Sequence, residues 1–226
     1  MNRITASLAA LLIFLSTGCA TNQDADRTPL QRLEQGNRRF VKGMARHPHM
    51  SARLRRDLTS HGQHPFATIL ACSDSRVPVE LLFDQGIGDL FVIRVAGNVV
   101  GMDESGSIEY AVEHLDCPLI VVLGHKHCGA VTAAVQHGHD TPNIEGLLKH
   151  IDPAVKKARD QVGAVEEDTL IDQAVKENVW QSIAELKRTS ELCRARAAAG
   201  KLKIVGAVYD IQSGNVEWMG TRPQVE

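Results

Sequence analysis

Aromatic residues are scarce in this chain: two Trp, two Tyr and five Phe make up only 4% of its 226 residues. Proteins that hold single-stranded nucleic acid stack its bases on aromatic side chains, so this scarcity speaks against such a platform. A dominant charge is lacking too. The 25 Lys and Arg are balanced by 27 Asp and Glu, net −2, with no long basic or acidic block, and no nucleic acid or acidic polymer is expected as a partner. No apolar run reaches the roughly 20 residues that a membrane-spanning helix needs. Internal repeats and low-complexity tracts are also missing. A chain of 226 residues then has room for one sizeable α/β domain with a buried core, and hardly for two.

What is present begins with a leader. Arg3 supplies a positive charge, and Ile4 to Leu15 is an almost uninterrupted apolar run of signal-peptide length. Ser16-Thr17-Gly18-Cys19 follows and resembles a bacterial lipoprotein cleavage box, with Ser16 where Leu is more usual. The alternative is an ordinary secretory signal cut near Ala20. Either reading makes the mature chain exported and periplasmic. Acylation of Cys19 would hang it from a membrane by lipid chains without spanning it. The expected organisation is a signal peptide and lipobox over 1–19, a polar tether over 20–28 and one domain over 29–222.

Within that domain, Leu30, Leu33, Phe40 and Val41 have helical spacing, and a second, Arg-rich and exposed helix is predicted over Met50 to Leu58. Short apolar runs at Phe66–Ala71, Leu90–Val95, Leu119–Leu123 and Leu202–Tyr209 read as strands buried on both faces. Helical patterns lie between them at Ser105–Leu115, Ala130–Gln136, Ile144–Ala158 and Leu170–Ala199. This alternation predicts βαβ units and a three-layer α/β fold, with about four parallel strands flanked by helices. A turn at Gln212–Asn215 adds Val216–Met219 as an antiparallel edge strand.

Two clusters carry the chemistry: Cys72-Ser73-Asp74-Ser75-Arg76 and His125-Lys126-His127-Cys128. Each follows a predicted buried strand, and ligands of open α/β sheets bind at the carboxyl ends of strands. Two thiols, an imidazole and a carboxylate suit one Zn²⁺. Structural zinc sites close with four protein ligands, whereas catalytic ones keep a position for water or substrate. Here Asp74 either fills the fourth place or is drawn aside by Arg76, which can pair with it bidentately. The N-terminus of the following helix is expected to lower the Cys128 thiol pKa. Two thiolates would cancel the zinc charge, so a bound water should acidify only toward mildly alkaline pH. A competing reading joins Cys72, Cys117, Cys128 and Cys193 in two disulfides, as an oxidising compartment permits. The neighbouring Asp74, Arg76 and His125 have no purpose in such a framework, which leaves Cys117 and Cys193 as small buried residues. His127, His137 and His139 read as surface histidines rather than proton shuttles.

Ala71-Cys72-Ser73-Asp74-Ser75-Arg76-Val77-Pro78 and Gly124-His125-Lys126-His127-Cys128-Gly129 resemble the two signatures of β-class carbonic anhydrases. The likeness extends to Gln35–Phe40, Asp84–Arg94, Ala96-Gly97-Asn98 and Gly206–Asp210, spanning roughly 29–220. It implies zinc on Cys72, His125 and Cys128, with Asp74 and Arg76 as a catalytic dyad. The implied reaction is attack of zinc-bound hydroxide on CO₂, giving bicarbonate. Asp74 would ligate zinc only in a closed state. In some members that closure is linked to an allosteric bicarbonate site using a tryptophan three residues before the first cysteine; this chain has Ile69 there, so such closure is not expected. Gln85 and Gly129 are the substrate-contacting positions the likeness implies, although one extra residue separates Gln85 from the following Phe. A homodimer or dimer of dimers is expected. Two other readings remain at this point: a zinc hydrolase of carbon disulfide or a related small molecule on the same scaffold, and a non-catalytic zinc-binding lipoprotein closed permanently by Asp74.

Overall fold

The computed structural model describes residues 26–137 and 141–220. The leader with Cys19, most of the tether, His139 and the last six residues lie outside the described residues. No helix among those described is long and apolar enough to cross a membrane.

The chain enters the domain through α1 (Pro29–Val41). Thr28 and Gln31 cap it reciprocally, and Pro29 occupies the first turn, where a missing N–H costs nothing. Then come α2 (Ala52–His61), which buries no residue, β1 (Ala67–Ala71), the short α3 (Val79–Leu82) and β2 (Leu90–Arg94). A 3₁₀ turn at Ala96–Asn98 leads into α4 (Met102–His114) and β3 (Leu119–His125). The remainder is α5 (Gly129–Gln136), α6 (Pro142–Leu148), α7 (Asp152–Val162), α8 (Glu167–Thr189), α9 (Glu191–Ala198), β4 (Lys203–Tyr209) and β5 (Val216–Gly220).

The five strands are ordered β2-β1-β3-β4-β5. The first four are parallel, and β5 returns antiparallel on β4. Strand side chains alternate between faces. Leu70, Ile120 and Val122 therefore join a core with α4, α5, α7 and α8 on one side. Ile69, Val121 and Leu123 pack with Leu33, Leu82 and Phe83 from α1 and α3 on the other. The predicted three-layer architecture is the observed one. Because β2 lies on one side of β1 and β3 on the other, the strand order reverses between β1 and β3, and ligands of open α/β sheets bind outside the carboxyl ends at such a point.

Among the boundaries that differ from the sequence expectation, three have a clear physical reason. Strand β3 runs on to His125, because Gly124 and His125 still pair in register with Val208 and Tyr209. The helical pattern over 144–158 is two helices, since Pro153 has no N–H to continue a helix and instead starts α7. The pattern over 170–199 breaks at Ser190, which is extended and caps α9 by accepting from Cys193 N–H at 3.1 Å. Its hydroxyl also donates to Glu109 at 2.6 Å.

Two polar residues fasten α1 to the rest. Asn37 donates to the Leu82 and Gly214 carbonyls at 3.1 and 2.9 Å and accepts from Val216 N–H at 3.0 Å. Arg39 pairs with buried Asp84, whose other oxygen accepts from Arg46 and His47 N–H at 2.9 Å. Burial pushes the Asp84 carboxyl up, but Arg39 and these two amides outweigh it and hold it below its usual range.

Candidate metal centre

Pairing of β1 with β3 aligns Ala71 with Leu123, so the chain leaves both strands at the same edge. Cys72 follows β1 directly, His125 ends β3, and Cys128 precedes α5. All three are buried, and their ligating atoms lie within 4.8 Å of one another. The two sulfurs are 4.0 Å apart, a contact rather than a bond, and all four described cysteines are free. The disulfide reading is thereby set aside. Cys117 and Cys193 are buried thiols raised above their usual pKa chiefly by burial.

His125 is prepared for a ligand. Its Nδ1 donates to the Lys126 carbonyl at 2.9 Å, which leaves the lone pair of Nε2 facing the sulfurs. That Nε2 is buried with no hydrogen-bond partner among the described residues. A buried polar atom left alone is costly, and a cation between the two thiols removes the cost. The donors themselves, two sulfurs and an imidazole nitrogen, are those Zn²⁺ prefers.

The thiols share a proton unequally. Cys72 is drawn down, first by the hydrogen bond from Cys128 and then, against burial, by backbone N–H groups that include Gly97. Cys128 is pushed far up by the neighbouring thiolate and by burial. The expected pull of the α5 N-terminus on Cys128 is present but is not the largest influence on the metal-free pair. The Ala130 and Val131 amides do pull it down, but a like charge 4.0 Å away outweighs them. Only a cation can hold both as thiolates.

Asp74 stands beside this trio without joining it. Its Oδ2 is 4.0 Å from His125 Nε2. Arg76 grips it in a fork, with Nε to Oδ1 at 3.0 Å and Nη2 to Oδ2 at 2.7 Å, and the Arg76 N–H adds a third bond at 2.9 Å. These bonds hold the Asp74 carboxyl down at about 2. Arg76 is itself steadied by the His127 carbonyl at 3.2 Å. Arg94, quoted in the likeness but given no role by sequence reasoning, ties the loop to the end of β2. It donates to the Cys72 and Asp74 carbonyls at 2.9 and 2.5 Å.

The remaining candidates are placed less centrally. Gly129 opens α5 beside Cys128, exposed, with open space where a Cβ would be. Gln85 is buried and its amide donates to the Phe83 carbonyl at 2.9 Å. His127 is exposed, and His137 caps α5 in a left-handed conformation.

Comparison with known proteins bears on the family and the fold. The family model described as carbonic anhydrase matches residues 67–216. Carbonic anhydrase 2 of Mycobacterium tuberculosis is 42% identical over 184 residues, covering 80% of this chain and 87% of that protein. Among solved structures, the β-carbonic anhydrase CcaA superposes with a TM-score of 0.70 at 31% identity, covering 87% of this chain and 94% of the other. A structure from a study of two tetrameric β-carbonic anhydrases of Sordaria macrospora gives a TM-score of 0.70 at 25% identity, covering 86% and 98%. Fold and likenesses together define an open-sheet α/β enzyme. The chain belongs to the carbonic anhydrase family, in its β class, and its activity is that of a carbonic anhydrase.

Proposed function

We propose that the chain converts carbon dioxide reversibly to bicarbonate and a proton using one Zn²⁺ per chain. Cys72, His125 and Cys128 hold the metal, and Asp74 with Arg76 forms the catalytic dyad. The observation that carries this reading is the unpartnered, buried Nε2 of His125 between two sulfurs at coordinating range. When bound, zinc supplies a Lewis acid that brings the pKa of water toward neutrality.

The chain's own residues do the rest. Asp74, ionised at any physiological pH, can only accept hydrogen bonds. It takes the O–H of the attacking water and so turns a lone pair toward carbon dioxide. Arg76 occupies both carboxylate oxygens and keeps Asp74 from becoming a fourth ligand. A permanently closed, non-catalytic site would need Asp74 at the metal, and its two bonds to Arg76 favour the open reading. The exposed Gly129 leaves space beside Cys128 for substrate to approach. Gln85, committed to the Phe83 carbonyl, contributes by packing.

Two further parts belong to this proposal. The working unit is a homodimer or dimer of dimers: β2 ends the sheet with half-buried Phe91, Val92 and Ile93, and a related structure is described as tetrameric. The chain is exported and lipid-anchored through Cys19. For the catalytic reading, the test is stopped-flow hydration of carbon dioxide by protein stripped with a chelator and then restored with zinc. Activity should disappear and return at about one zinc per chain; activity indifferent to zinc would refute the metal assignment.

A further inference from the structure

Cys72 has one contact that ligand geometry alone does not explain. Gly97 N–H donates to its sulfur at 3.3 Å, from the turn Ala96–Asn98 between β2 and α4. Gly97 has φ 68° and Asn98 φ 45°, both left-handed, a backbone that glycine adopts freely and asparagine more readily than most residues.

The turn is held from α8. Asn178 Nδ2 donates to the Gly97 carbonyl at 2.7 Å, and Ser182 Oγ donates to the Asn98 carbonyl at 2.9 Å, both bonds buried. The two residues are four apart and share a helix face, polar positions among buried Val175, Val179, Ile183 and Leu186. From the opposite side the turn is walled in: a Cβ on Gly97 would meet Ile151 Cδ1 at 2.7 Å and Ala130 Cβ at 3.2 Å.

We propose that Asn178 and Ser182 are positioning residues for the metal centre, clamping the Ala96–Asn98 turn so that Gly97 N–H stays aimed at the Cys72 sulfur and sets its strength as a donor. This rests on the zinc reading above. An N–H bond drains electron density from a thiolate and fixes its orientation, and partners of this kind commonly change metal affinity by about 10–100-fold when removed. Loss of Asn178 strands the buried Gly97 carbonyl, the turn relaxes, and the amide draws away from sulfur. The thiolate then becomes more electron-rich, and its charge transfer to a bound metal falls in energy.

The test uses the full chain and reads the metal rather than turnover. Zinc affinity is measured by chelator competition, and cobalt(II)-substituted protein reports its sulfur-to-cobalt charge-transfer band. Asn178→Ala should bind zinc roughly tenfold more weakly and shift the band to lower energy. Leu186→Ala, a purely apolar truncation in the core face of the same helix, should lose thermal stability while keeping affinity and band. If both variants give the parent band and affinity, or if both change alike, the proposal is overturned. Should Asn178→Ala not fold, Ser182→Ala decides: a smaller shift in the same direction supports the clamp, and an unshifted band overturns it. A parent chain that takes up neither metal overturns the zinc reading itself, and the clamp with it.

Discussion

Asp74 is held on both oxygens by the protein, whereas His125 is held on one nitrogen only. Arg76 saturates Asp74, so its carboxyl sits at about 2 against an ordinary value of 3.8. A carboxyl depressed on folding contributes stability above its unfolded pKa, here about 4, and that contribution is lost as pH falls through 2. A ¹³C titration of the Asp74 carboxyl should place its midpoint near 2; a midpoint at the ordinary value would mean the fork is absent in solution. His125 is saturated on one nitrogen only, and its replacement by Ala should abolish tight zinc binding by chelator competition. These residues were legible in the sequence because chemistry restricts them to few types at fixed spacings. Arg94 and Gly97 were less so, since Arg94 acts on backbone carbonyls of other residues and Gly97 acts through its own backbone N–H. Asn178 and Ser182 left a faint trace, two polar positions four apart inside an apolar helical stripe.

Elements put these residues in place through close contacts. Helix α8 lies tight on β3 and β4 because two strand positions carry no side chain. A Cβ on Gly124 would come within 2.7 Å of Val179, and one on Gly206 within 2.9 Å of the same residue. Gly124→Ala should therefore destabilise the fold by about 1–3 kcal/mol, seen as a lower Tm, and should lift α8 from the turn it holds. Asn37→Ala removes three bonds, two of them buried, joining α1 to α3 and the β4–β5 hairpin. Stranding those groups should cost about 2–3 kcal/mol in urea unfolding. Strand identity was readable from apolar runs alone. The helix interruptions were not, because periodicity continues across Lys149–Ile151 and Ser190. At the second break a single capping hydroxyl, rather than any loss of amphipathic pattern, ends one helix and begins the next.

The whole molecule places the candidate metal centre where the strand order reverses, and leaves β2 as an edge. Sedimentation equilibrium should report a dimer or its multiple, and a monomer at micromolar concentration would contradict the assembly proposed here. Labelling of the full chain with palmitate in a bacterial host should be abolished by Cys19→Ala; unchanged labelling would refute the anchor. The central claim is that three residues hold the metal while Arg76 keeps Asp74 available for catalysis. Stopped-flow carbon dioxide hydration by zinc-saturated Arg76→Ala, measured beside the parent chain, tests it most directly. The account predicts full zinc content with turnover lowered on the order of 10–100-fold, whereas parental turnover in that variant would contradict it.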